Sequence, residues 1–453
     1  MKIRCLTLIL ILLLSACGKE ENDQPTKHSL NPVRNYNTWR LTGVENLNET
    51  IKARFLETHT ELTTGDEVRV TLAPLSPDGT TAAASIEVYL DSGAEKPWFI
   101  CSYTLDTADL PCYQIPADLP FDAEIESAVW SPDSQQFVFN ENWAIFIQES
   151  DLWRFDVSST TLTNLTDDHV IGGWFDIDPA VTPYGLDHAP MWHNKDLYFL
   201  RSSRATKDAD FETALYRLKG AQGEPELIHK LPSDNPIGVV GLNFNYALSP
   251  DGQQIAFTYQ SLREEDRAKI GVWLLDLKSG DFKQIAAETD FLVGAADYIK
   301  ELITEQPGIT VFTNLAWSKN RLIVYATYPV YEMHIPANFY SFTIDGSDIR
   351  PIFDTSSYKT EKEMYEVVSD AQTLRPHVGF VSPDGGSFFY VRGRLANDMP
   401  VSSVPITFDA ALEDIGTVSA GGIVADRSRR GSNLFTISAN GRVLVEDMLL
   451  TFE

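Results

Sequence analysis

Ala128-Val129-Trp130-Ser131-Pro132-Asp133-Ser134-Gln135-Gln136-Phe137-Val138-Phe139 is a tight turn between two short apolar runs. Pro presets φ at the second turn position, Asp bonds back to the chain, and Gly, in the copies that have it, takes the positive φ that closes a hairpin. The same turn recurs at Ser76-Pro77-Asp78-Gly79, Ser249-Pro250-Asp251-Gly252 and Ser382-Pro383-Asp384-Gly385. Degraded copies stand at His193-Asn194-Lys195-Asp196, Ser318-Lys319-Asn320 and Ser438-Ala439-Asn440-Gly441. Apolar runs flank them, among them Pro190-Met191-Trp192, Leu315-Ala316-Trp317 and Gly379-Phe380-Val381 before the turn and Tyr198-Phe199-Leu200 and Ile323-Val324-Tyr325 after it. Runs this short and this continuous predict strands covered on both faces.

A second landmark keeps step with the first. An aromatic residue on a third strand follows each of five turns by 22 to 27 residues: Tyr103, Trp153, Tyr216, Trp273 and Tyr340. A fourth apolar segment comes next, as in Asn164-Leu165 or Lys283-Gln284-Ile285, so each unit reads as a four-stranded antiparallel sheet. Turns are 55 to 69 residues apart, longer than bare propeller repeats of roughly 40 to 50 residues. The surplus falls in Asp167–Asp187, Ala287–Gly308 and Ser356–Arg375, and the last two carry helical spacing, with Phe291, Tyr298 and Leu302 or Met364 and Val367.

The Ser-Pro-Asp-Gly turns, with Asp151-Leu152-Trp153-Arg154-Phe155-Asp156 ending in Asn164-Leu165-Thr166, resemble the WD40-like repeat of TolB-type β-propellers over about residues 70 to 445. The resemblance implies an all-β fold, a ring of four-stranded antiparallel blades about a channel with short helical insertions. Seven blades are favoured, with a strand near Trp39-Arg40-Leu41 completing the last; six result if the final fragment joins an existing blade.

The N-terminus carries an address. Lys2 and Arg4 precede an apolar run from Leu6 to Leu14, too short for a helical span. Leu14-Ser15-Ala16-Cys17 resembles the lipobox of bacterial lipoproteins. The resemblance implies a signal peptide over 1–16, a lipid on Cys17 and a membrane-anchored, extracytoplasmic protein, in the outer membrane of a diderm cell because Gly18 follows the cysteine. Residues 17–35 read as a flexible tether and 36–453 as a single propeller domain. Export leaves Cys101 and Cys112 able to pair across the third and fourth strands of the first unit, the alternative being two buried thiols.

Composition excludes more than it assigns. The 36 Lys and Arg against 64 Asp and Glu give a net charge of -28, which disfavours nucleic acid. The sequence holds no Gly-x-Ser-x-Gly elbow, no His-Glu-x-x-His, no Cys cluster and no EF-hand loop, so neither metal nor cofactor is expected. Asp176-Ile177-Asp178 and Asp208-Ala209-Asp210 with Glu212 read as solvated pairs. Five residues before the turns stand Thr71, Glu126, His188, Phe244, Thr313, His377 and Asn433, a ring at one mouth of the channel. Trp130, Trp192 and Trp317 are locked to the repeat and expected between blades, whereas Trp98, Trp143 and Trp174 are not, and Trp174, in an insertion, is the best contact candidate. The expectation is a monomeric, non-catalytic binding or scaffold module for a protein or glycan of the cell envelope. The alternative is a polysaccharide- or peptide-processing enzyme acting through His188, His377 and Glu126 at the channel mouth.

Overall fold

The structure, a computed structural model, describes residues 39–63, 65–91, 97–117, 124–141, 150–168, 185–203, 212–231, 246–259, 264–305, 310–327, 337–352, 356, 376–382, 385–392, 399–408, 413–418, 434–445 and 447–453. Cys17 with its tether, Trp143, Trp174, the Asp176 and Asp208 pairs, and the insertion before Arg375 lie outside them.

The chain is an all-β propeller of seven blades. Blade one is Glu67–Leu75, Thr81–Tyr89, Trp98–Thr104 and Cys112–Gln114, hydrogen-bonded in that order from the inside outward. Blades two to five repeat the plan, with innermost strands Glu124–Trp130, Leu186–His193, Tyr246–Leu248 and Val311–Ser318. Blade six starts from Pro376–Val381. Blade seven closes the ring with both chain ends: Arg442–Val445 pairs with Met448–Phe452, and Leu41–Asn46 adds outside it, with Leu41 opposite Phe452. Its expected innermost strand departs from the plan. Leu434–Thr436 runs parallel to Pro376–Val381 and joins the sixth sheet, leaving three strands in the seventh.

The turns are held by the serine hydroxyl as well as by Pro, Asp and Gly. In blade four, Ser249 Oγ donates to Asp251 Oδ1 at 2.6 Å and accepts from Gln254 N at 2.9 Å, while Gln253 N donates to Asp251 Oδ1. Ser76 and Ser131 do the same in blades one and two, and Ser438 does so with Asn440 standing in for Asp. All four serines are buried, so each hydroxyl is spent inside the turn. Where glycine is missing, Ser134 takes the positive φ of 60° and its Oγ accepts from Asp78 N of blade one.

A second set of bonds ties blade to blade. The indole N–H of Trp130 donates to Pro74 O of blade one at 2.6 Å, that of Trp192 to Val129 O of blade two at 3.2 Å, and that of Trp317 to Ala247 O of blade four at 2.8 Å. Each donor stands one residue before its own turn, and each acceptor two residues before the turn of the preceding blade. Blade four has Leu248 at the donor position, and Tyr246 takes over, donating its hydroxyl to Ala189 O at 2.6 Å. At the closure, Ala439 N donates to Pro77 O and Asn440 Nδ2 to Gly79 O, both at 3.1 Å. A Cβ on Gly79 would meet Asn440 Oδ1 at 2.0 Å, so this seam needs glycine.

Cys101 and Cys112 stand opposite each other and are joined by a disulfide. The insertion after blade four is helical as its spacing predicts, with a short turn Glu288–Leu292 and a helix Asp297–Glu305. The helix Leu47–Thr58 was not foreseen. Asn46 caps it by accepting from Glu49 N at 3.1 Å, and Leu47, Ile51 and Phe55 are fully buried against blade one. Trp98, which stands off the repeat landmarks, packs against the core of blades one and two. Among the described residues no helix is long and apolar enough to cross a membrane.

Trp130→Phe keeps the ring and leaves Pro74 O without its donor. It is expected to cost about 1 to 2 kcal/mol, read as a lower urea midpoint, with Trp317→Phe costing a similar amount.

Candidate functional site

Each inner strand begins at one face of the ring, and there blade three departs from its neighbours. Six residues before the turn, blade one pairs Val70 with Ile86 and blade five pairs Phe312 with Ala326. Blade three pairs Asp187 with Arg201. Asp187 is fully buried; Arg201 Nε donates to its Oδ1 and Nη2 to its Oδ2, both at 2.6 Å. A buried ion pair gives no more stability than a well-packed apolar pair of the same shape and often less, so core packing does not account for the exchange. Backbone bonds seat the pair against blade two: Asn140 Nδ2 and Ser150 Oγ donate to Asp187 O, and Asp187 N donates to Ser150 O.

Carboxylates crowd this junction. Asp151 is buried, accepting from Asn164 Nδ2 at 2.6 Å and Thr166 Oγ1 at 3.3 Å. Burial raises its carboxyl above the ordinary range, the Asn164 amide pulls it back, and the charges of Asp168 and Asp167 add to the rise. Burial pushes Asp187 up to about 6 against the pull of Arg201. Burial also opposes the Arg201 charge, but Asp187 outweighs it and holds the guanidinium above its usual value.

His188 faces the other way, because successive residues on a strand point to opposite sides. Its Nε2 lies 3.2 Å from Ser202 Oγ, which lies 2.8 Å from Thr213 Oγ1. These sit above the core where Leu200 and Leu215 meet Leu248, Ile255 and Phe257 of blade four. Directly after His188 the strand bulges, and Ala189 has a φ of 51°; blade five repeats the bulge at Asn314, with a φ of 56°. Bulges re-aim side chains. Burial pushes the His188 imidazole down to about 4, so it is neutral at neutral pH.

Thr71, Glu126, His188, Thr313 and His377 lie on the inner strands of blades one, two, three, five and six. The side chains of Glu126, Thr313 and His377, and the residues Phe244 and Asn433, lie outside the described ones, as does Trp174. Glu212, expected beside the Asp208 pair, accepts an exposed salt bridge from Lys230 at 2.9 Å. Among the described residues no three His, Cys, Asp or Glu side chains form a metal site. Counting back five residues from the turn reaches His188; Asp187, Arg201, Ser202 and Thr213 stand beside it, and their signal in the sequence is a break in the repeat's own apolar pattern.

The chain matches no family model and no curated protein. Its likeness is to solved propellers. The acylaminoacyl peptidase of Pyrococcus horikoshii aligns with a TM-score of 0.44 and 10% identity, over 78% of this chain and 46% of the peptidase. An acylaminoacyl peptidase in complex with Z-Gly-Gly-Phe-chloromethyl ketone aligns with a TM-score of 0.45 and 9% identity, over 84% of this chain and 51% of the other. The β-propeller domain of the Trilobed protease from Pyrococcus furiosus aligns with a TM-score of 0.31 and 10% identity, over 76% and 98% of the two chains. This chain thus corresponds to about half the length of the two acylaminoacyl peptidases. At such identities the likeness speaks to the fold alone.

A half-buried imidazole held at about 4 against an ordinary 6.5 has a definite sign in acid. Below about 6.5 the unfolded chain takes up a proton that the folded chain refuses, so stability is full above that value and falls as pH drops toward 4. Asp187, raised to about 6, works in the opposite direction between 6 and 3.8, and it is common to wild type and His188→Gln. The difference between the two proteins in urea is expected to grow in favour of the variant as pH falls from 6.5 to 4, by up to about 3 kcal/mol.

Proposed function

We propose that this chain is an exported, lipid-anchored propeller of the TolB type that processes a polysaccharide or peptide at the channel mouth, with His188 as the group that meets the ligand. The observation that carries this is the His188 geometry: an uncharged imidazole on an innermost strand, held through one nitrogen by Ser202 and placed beside a bulge. A neutral imidazole can hydrogen-bond to an uncharged ligand at physiological pH and polarise the oxygen it touches. Glu126 and His377 share its position in the repeat and complete the proposed set.

Casein and a panel of soluble polysaccharides test this. Wild type is expected to release new amino or reducing ends, and His188→Gln to lower the rate about 100-fold. Binding without products in the wild type would overturn it and leave the second reading, a monomeric, non-catalytic module holding a protein or glycan of the envelope. That reading is favoured by the absence of a nucleophile elbow in the sequence.

Export is supported by the lipobox-like Leu14-Ser15-Ala16-Cys17 and by the disulfide between Cys101 and Cys112, a bond that persists in oxidising compartments. Cys17→Ser is expected to move the protein from the membrane to the soluble fraction with its urea midpoint unchanged, read by fractionation and denaturation. A variant that stays with the membrane would overturn the lipid anchor.

A further inference from the structure

Two buried hydroxyls decide what His188 can offer. Ser202 is 1% exposed and Thr213 4%. Thr213 Oγ1 has one neighbour able to take its proton, Ser202 Oγ; Ser202 Oγ has two, Thr213 Oγ1 and His188 Nε2. None of the three residues has a further side-chain partner among the described residues. Each hydroxyl carries one proton and two lone pairs, and a buried donor left unpaired costs more than a spare lone pair. One arrangement lets both hydroxyls donate: Thr213 to Ser202, and Ser202 to His188 Nε2. The reverse direction leaves the Thr213 proton with no acceptor.

We infer that Thr213 and Ser202 hold His188 as the tautomer protonated on Nδ1, so that it presents an N–H donor, not a lone pair, to an uncharged oxygen acceptor of the ligand such as a carbonyl or sugar oxygen. Among the described residues Nδ1 has no partner, and His188 is only half-buried, which leaves it able to make that bond. The ligand's oxygen rests on the function proposed above; the tautomer does not. A neutral imidazole pointing its N–H outward takes no proton from the ligand; it polarises the oxygen it touches, as a preorganised donor does in an oxyanion site. Ser202 and Thr213 are positioning residues, acting through the ring.

The test reads protonation directly, on the full chain with histidine labelled in 15N, by long-range 1H–15N correlation at neutral pH without any ligand. His188→Gln identifies the His188 signals. The expected spectrum has Nε2 with the shift of a bare ring nitrogen and Nδ1 with that of a protonated one. Ser202→Ala should erase the preference and populate the opposite tautomer, and Ser202→Thr, which keeps the hydroxyl, should restore it. A bare Nδ1 in the wild type, or a preference unmoved by Ser202→Ala, overturns the inference. Should Ser202→Ala fail to fold, the wild-type and Ser202→Thr spectra still decide. Because no turnover is measured, a wrong tautomer and a wrong function give separate results.

Discussion

A ring of blades stands or falls on what joins one blade to the next. Here a side-chain donor just before each of several turns reaches back to a carbonyl just before the preceding turn, from Trp130 to Pro74, Trp192 to Val129 and Trp317 to Ala247. The indole suits this because its ring fills the gap between sheets while its one N–H finds a carbonyl at the edge. The bond also fixes the height of one blade relative to the next, and so aligns the starts of the inner strands around the channel. Where tryptophan is missing, Tyr246 restores a bond between blades three and four from two residues earlier.

Blade three carries the exception that this alignment makes room for. Asp187 and Arg201 occupy positions that hold Val70 with Ile86 and Phe312 with Ala326 elsewhere. The pair turns toward blade two, and the His188-Ser202-Thr213 row turns toward blade four. One strand thus sets a charged group and a neutral one on opposite faces, one residue apart. The bulge after His188 breaks that alternation locally, at the cost of a left-handed Ala189.

The repeat was legible because its signals are local: turn residues, apolar runs and an aromatic at a fixed interval. Trp130, Trp192 and Trp317 could be assigned to the spaces between blades from their place before the turn alone. The serines were visible but not their role, since that depends on hydroxyls meeting backbone groups five residues on. The helix Leu47–Thr58 had readable marks, Asn46 as cap and Leu47, Ile51 and Phe55 on one face, yet it lies outside any repeat that would draw attention to it. At the site, counting back from the turn reached His188. Ser202 and Thr213 lie on the next two strands, and which of their residues meet His188 is set by register, which no local signal encodes.

The closure of blade seven sets an order on folding. Leu41–Asn46, near the start of the chain, pairs with Met448–Phe452 at its end. Contacts this distant in sequence form last, because the loop between them must first be ordered. Leu41–Asn46 is the outer strand of its sheet, and its exposed, polar-rich face suits an edge that must not recruit a neighbour.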